Sequence, residues 1–182
     1  DLEDGKSKRV YKMLNIDLRQ FGYIKMFSHA EALANEENLL DDGDVSAFIR
    51  IGSDYTKNYY EYEVPLKLTP HMADNDNDLK NTEANRKSVW PEENNFTVDL
   101  AKLVEIKEKR NNLISEGKNN GLQSYHVYSV ADSTNTISIK GNPNLGNVKT
   151  IMLGIRNKKK KSANSKDDGE SKSVIVWFDE LR

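Results

Sequence analysis

Tyr59-Tyr-Glu-Tyr-Glu-Val-Pro-Leu-Lys-Leu68 decides the fold, because its side chains alternate. Tyr60, Tyr62, Val64, Leu66 and Leu68 point one way, and Tyr59, Glu61, Glu63, Pro65 and Lys67 the other. This period of two predicts a half-buried β-strand. Val45-Ser-Ala-Phe-Ile-Arg-Ile51 reads as a second strand, and the turn formers of Gly52-Ser-Asp-Tyr-Thr-Lys-Asn58 join the two as an antiparallel hairpin. Pro65 has no N–H to give to a ladder, which predicts a bulge or a ladder face that needs no donor, most simply near a sheet edge.

Outward from this hairpin, Arg9 to Arg19 and Tyr23 to Glu31 are further β-rich runs separated by Gln20-Phe-Gly22, with Leu14, Ile16 and Leu18 on one face of the first. Asn95 to Leu100 predicts a short strand running into one helix, Leu100 to Glu116, with an apolar stripe of Leu100, Leu103, Val104, Ile106, Leu113 and Ile114. Asp99 is placed to cap its start, and Gly117 and Gly121 to end it. Thr136 to Lys140, Val148 to Arg156 and Ser173 to Leu181 are the last strands, the final two read as a pair joined by a lysine-rich insert. The polar segments Thr69 to Lys87 and Lys158 to Lys172 read as mobile loops, the second with the Lys158 to Lys161 run at a solvated hairpin tip. Many short strands with a single helix predict a mainly β fold, a two-sheet antiparallel β-sandwich of jelly-roll type.

The 182 residues are enough for one domain with its own core, and the abrupt β-rich ending predicts a soluble fragment, residues 1–182, of a larger polypeptide. With 27 Lys and Arg against 29 Asp and Glu, the chain has no basic field for phosphates, which argues against a nucleic-acid partner. The absence of cysteine excludes disulfides, thiolate metal sites and a cysteine nucleophile. No apolar run approaches the ~20 residues of a membrane helix.

Candidate chemistry is sparse. Asp74, Asp76 and Asp78 have the alternate spacing of a calcium loop, but Leu79 stands where the turn glycine belongs and Asn85 replaces the bidentate glutamate, so a solvated loop is the better reading. Asp41-Asp-Gly-Asp44 reads as a turn. His29, His71 and His126 lack zinc-site spacing, and no serine sits in a nucleophile elbow. Gly141-Asn-Pro-Asn-Leu-Gly146 lacks the Gly-Lys-Ser/Thr ending of a phosphate loop and is a turn. No enzyme, cofactor or metal is therefore expected. Tyr55, Tyr59, Tyr60 and Tyr62 with Trp90 and Trp177 offer an aromatic platform for a sugar ring or a client protein; alternation assigns Tyr60 and Tyr62 to the core, leaving Tyr55 and Tyr59 as the interaction-surface candidates.

Five ordered stretches, Ile51 to Leu66, Val89-Trp-Pro-Glu-Glu-Asn94, Lys107-Glu-Lys-Arg-Asn111, Gly141-Asn-Pro-Asn-Leu145 and Val176-Trp-Phe-Asp-Glu-Leu-Arg182, resemble a soluble segment of the SprA (Sov-like) cell-surface proteins of gliding, type IX-secreting bacteria. The resemblance covers roughly Arg9 to Arg182. It implies a parent that is a very large outer-membrane β-barrel, the type IX secretion translocon required for surface display and gliding motility. The fragment would be a sandwich domain that does not itself span the membrane, at the cell surface or the periplasmic side, contacting the rest of the translocon and associated secretion proteins. The last strand also resembles the closing strand of galactose-binding-like modules, which keeps a carbohydrate-binding jelly roll as the alternative.

Overall fold

The alternating segment forms the strand read from it, within nine strands and one long helix among the described residues. In chain order these are β1 (Ser7–Ile16), β2 (Tyr23–Ala32), β3 (Val45–Gly52), β4 (Tyr59–Pro65), β5 (Phe96–Asp99), α1 (Leu100–Ser115), β6 (Tyr128–Asp132), β7 (Asn135–Lys140), β8 (Val148–Asn157) and β9 (Val174–Asp179). The structure is a computed structural model and describes residues 1–33, 40–69, 87–117, 120–159, 168–179 and 181–182. The calcium-like Asp74, Asp76 and Asp78, and His71, lie outside these residues.

The strands form two antiparallel sheets, a six-stranded one in the order β1-β8-β3-β4-β7-β6 and a three-stranded one in the order β5-β2-β9. The mainly β, two-sheet sandwich expected from the strand pattern is the architecture found. In the β3–β4 hairpin Ile51 faces Tyr60, Ile49 faces Tyr62 and Ala47 faces Val64. These residues, with Ile137 and Ile139 of β7, make the inner face of the large sheet. Ile24, Met26 and Ala30 of β2 and Phe96 and Val98 of β5 close on it, with the Tyr62 and Phe96 rings 6.3 Å apart. Helix α1 covers the β7 end of the same face, and Lys102 near its start pairs with Asp132 of β6 at 2.8 Å.

Several expectations change. The last two strands are not a pair: both edges of β8 are taken, by β1 and β3, so β9 crosses to the small sheet and pairs with β2. Strand β6 carried no clear turn signal, because the connection to β7 runs through Ser133 at φ 59, where a glycine or asparagine would have announced it. Pro65 lies on a central strand, not an edge one, but on a ladder face that needs no donor, as its missing N–H allows. The Leu66 N–H bonds the Val45 carbonyl, so Pro65 turns its missing donor toward β7, whose pairing with β4 has already ended at Glu63. Ile16, read with Leu14 and Leu18 as one apolar face, is exposed, while Leu18 is buried.

The helix forms where its stripe and signals put it, but rotated. The Asp99 carboxylate accepts from the Ala101 N–H at 2.9 Å, and Gly117 at φ 67 follows the C-terminus. The buried row is Leu100, Leu103, Ile106 and Arg110, whereas Val104 is 41% exposed. Leu103→Ala is expected to lower stability by about 2–5 kcal/mol and Val104→Ala by less than about 0.5 kcal/mol in urea titrations. Equal losses at the two positions would restore the rotation read from sequence.

Candidate functional site

Strand β4 is buried on both faces, not on one. Its outer face carries Tyr59, Glu61 and Glu63, all of them buried. Carboxylates two residues apart on one strand face repel unless neutralised, and the neighbouring strands supply the cations. Arg50, opposite Glu61 in the ladder, donates from Nε and Nη2 to Glu61 Oε2 at 2.8 and 2.5 Å. Arg156 of β8 donates to both Glu61 oxygens at 3.1 and 3.2 Å and pairs with Glu63. Lys158 reaches Glu63 Oε1 at 3.0 Å from an exposed position, which ties the start of the lysine run to this lattice.

Aromatic rings floor the lattice. The Arg50 guanidinium lies 3.8 Å from the Tyr59 ring centroid, and that of Arg156 4.5 Å from the Phe48 ring. Gly154 makes room, since a Cβ there would stand 2.6 Å from Phe48 Cζ and 2.8 Å from the Lys8 carbonyl oxygen. Tyr59, expected at the surface, is 6% exposed because Arg50 covers it. Tyr55 is half-buried, its ring 5.0 Å from that of Tyr11 and its carbonyl accepting from Arg50 Nη1 at 2.5 Å. Tyr60 and Tyr62 are core residues, as alternation required. Trp90 and Trp177 lie elsewhere, on the outer face of the small sheet around His29: Trp177 is its ladder partner, and the Trp90 ring is 5.8 Å away. The structure therefore disperses the aromatic set into three places.

A second polar cluster locks one end of the sandwich. Asp54, in the β3–β4 turn, accepts from Thr56 N–H and Oγ1, Lys57 N–H and Asn58 N–H through Oδ1, and from Asn58 Nδ2 through Oδ2. Burial works against its charge, but the donors of Lys57, Asn58 and Thr56 outweigh it and hold the carboxyl well below the usual carboxylate range. Asn58 Oδ1 accepts the Asn142 N–H at 2.9 Å, and Gly141 is at φ 69 with no space for a side chain, a Cβ there meeting the Lys57 oxygen at 2.0 Å. Arg110, 1% exposed on α1, donates to the carbonyls of Gly141 at 2.8 Å and Ser124 at 3.4 Å and to Asn111 Oδ1. Lys107 donates to the Pro143 carbonyl at 2.8 Å, and burial pushes the nearby Tyr60 phenol up to about 12. Stretches far apart in sequence thus meet at one place.

Two further clusters close the small sheet. The Asn94 side chain brackets Lys67, accepting from its N–H at 2.7 Å and donating to its carbonyl at 2.8 Å, while Ser28 Oγ donates to the Asn94 carbonyl at 2.5 Å. Lys172, at the end of the lysine-rich insert, is buried: it pairs with Asp44 at 2.8 Å and Asp168 at 2.6 Å and exchanges backbone bonds with Leu2. Burial pulls its ammonium down, and the carboxylates more than offset this. Asn157 Nδ2 donates to the carbonyls of Leu2 and Glu170, so both described ends of the insert are anchored. The Asp41 to Asp44 segment is the turn expected, with Gly43 at φ 89.

The sequence reading missed Arg110, Asp54, Asn94 and Lys172. Arg110 left a periodic signal, standing four residues after Ile106 on the buried row of α1, while Asp54 and Asn94 were marked only by lying within the family-like stretches. Chemically each of these groups is bound to protein partners in its own cluster, and among the described residues no group of three or more His, Cys, Asp or Glu is arranged to hold a metal ion. The polar constellations are tied to protein partners, and Tyr60, Lys107 and Pro143 beside Arg110 also line a groove. An open apolar groove of about 610 Å³, lined by Leu18, Phe21, Tyr23, Val104 and Leu145 among others, flanks the start of α1.

Glu61→Ala leaves two guanidiniums over one carboxylate and is expected to cost about 3 kcal/mol in a urea titration; a loss below about 1 kcal/mol would make the lattice solvated decoration. Asp54 gives a pH test. Its depressed pKa contributes stability above the unfolded-state value near 3.8, and that contribution is lost as pH falls toward the folded value. Melting in acid below about pH 4 should therefore fall less steeply for Asp54→Asn than for the native chain. Parallel acid profiles would show that the turn does not titrate with folding.

The family model SprA_N, described as motility related/secretion protein, matches residues 1–182. No curated protein matches the chain.

Proposed function

The chain belongs to this SprA_N family of motility-related secretion proteins, and from that premise we propose that it is a non-enzymatic structural and interaction domain of an outer-membrane type IX secretion translocon. The observation that carries this reading is where the family-like stretches go. The hairpin turn, the Lys107 to Asn111 stretch of α1 and the Gly141 to Leu145 turn are engaged with one another, as Asn58–Asn142, Arg110–Gly141 and Lys107–Pro143 contacts. Val89 to Asn94 is engaged with β2 and Lys67. Residues used to hold loops in place build a rigid body that presents surfaces; catalysis needs groups left free in a cavity. No helix among the described residues is long and apolar enough to cross a membrane. In this proposal the partners are the rest of the translocon and its associated secretion proteins, and the domain lies at the cell surface or the periplasmic side of the outer membrane.

The alternative, a carbohydrate-binding module of jelly-roll, galactose-binding-like type, draws on Trp177, 61% exposed beside His29 on the small sheet. A single exposed indole stacks on a sugar, but selective binding also needs convergent polar groups around it. Deleting residues 9–181 in the native parent is expected to impair surface display of secreted cargo while barrel insertion stays intact, and the purified domain is expected to bind no glycan on an array and to melt identically with and without chelator. Normal surface display together with micromolar glycan binding would hand the function to the carbohydrate reading.

A further inference from the structure

Beside the groove at the start of α1 stand two cations, Lys107 and Arg110, that no carboxylate meets among the described residues. Elsewhere in the domain such charges are matched: Arg50, Arg156 and Lys172 each pair with at least one carboxylate. Arg110 donates only to the Gly141 and Ser124 carbonyls and the Asn111 amide oxygen, and Lys107 only to the Pro143 carbonyl. Burial, and then the charge of Arg110, hold the Lys107 ammonium below its ordinary value. Buried Tyr60 brings its hydroxyl to the same wall and shares the Pro143 carbonyl at 3.4 Å, too long to hold its proton firmly.

The groove is polar along its length. At one end Tyr23 faces Asp99 across the β2–β5 ladder, the Leu100 N–H bonds the Gly22 carbonyl, and Phe21 and Tyr23 form an exposed aromatic rim. The charges there are spent: Asp99 accepts from the Ala101 N–H, and Arg19 is paired with Asp17 at 2.6 Å. Lys107 lies two turns further along α1, about 12 Å from Asp99 by helical rise. Leu18, Leu145 and Val104 supply apolar walls. Neither described end of the chain lines the groove: Leu2 bonds Lys172, and Arg182 bonds Lys25 on the β9 side of β2, away from β5 and α1.

We propose that this groove docks an acidic segment of a partner polypeptide, which lays an apolar side chain against Phe21 and Val104 and sets a carboxylate on Lys107 and the Tyr60 hydroxyl. Charge selects this occupant. An aspartate or glutamate accepts from both donors and neutralises a charge that the domain leaves unmatched, which a neutral or basic segment does not do. The span of about 12 Å corresponds to about three extended residues between the apolar side chain and the carboxylate. This deepens the interaction-domain reading, on which it rests, by naming the chemistry of one partner segment.

The probe is a blocked synthetic peptide, Ser-Leu-Ser-Ser-Glu-Ser, with a second peptide carrying glutamine in place of glutamate. Each is titrated into the isotope-labelled 182-residue chain, and the methyl shifts of Leu18, Val104 and Leu145 are read by NMR. Saturable shifts confined to the groove are expected, with the glutamate peptide bound about tenfold more tightly than the glutamine one. Lys107→Met, checked for folding by its melting, should remove that preference and leave the affinity for the glutamine peptide unchanged. Val104→Glu, at an exposed position that keeps the fold, should weaken the glutamate peptide more than the glutamine one. No shift at millimolar peptide, shifts outside the groove, or equal affinity for the two peptides overturns the proposal. Binding of phenylpropionate without binding of the peptide also overturns it, in favour of a small amphiphilic acid, and dimers in sedimentation that bury the groove overturn it in favour of a second copy. None of these failures touches the secretion phenotype of the deletion, which tests the functional reading separately.

Discussion

Neutralisation of Glu61 and Glu63 by Arg50, Arg156 and Lys158 is the constraint on which the rest of the domain depends. Strand β4 sits between β3 and β7, so two unpaired carboxylates there would sit on the middle of the large sheet. The guanidiniums both neutralise them and stand over Tyr59 and Phe48, closing the outer face with the sheet's own side chains. A sheet closed this way needs no third layer. Its inner face alone must find cover, and α1 and a three-stranded sheet supply most of it.

Loops carry the second level of order. Arg110 reaches from the buried row of α1 to the Gly141 and Ser124 carbonyls, and Asn58 reaches from the hairpin turn to Asn142. Buried backbone carbonyls without partners are costly, so a buried arginine with several donors is a stabilising occupant of such a junction. Because the helix, the hairpin and the β7–β8 connection share these bonds, displacement of one disturbs the others. That coupling favours a rigid module whose outward surfaces are held in fixed relation.

Strand existence and the face of Tyr60, Tyr62 and Val64 were legible because a period of two survives any tertiary arrangement. The Asp99 cap and the glycine beyond α1 were legible because they act within a few residues. What could not be read depended on neighbours distant in sequence. Glu61 and Tyr59 look like solvent residues until Arg50 and Arg156 are placed over them, and Lys172 looks like loop until Asp44 and Leu2 arrive. Partnering of β9 with β2 in place of β8 is likewise a matter of edge occupancy, which one strand's sequence does not encode. Tyr55 and Tyr59 were chosen as surface by elimination, and Arg50 had the decisive role there.

The polar lattice is the internal scaffolding in this account, and its members act together. A double-mutant cycle between Glu61→Gln and Arg156→Met, read in urea titrations of the 182-residue chain, tests this most directly. A coupling energy of about 1 kcal/mol or more between the two positions is expected. Additive losses would contradict the account and make the two side chains independent surface groups.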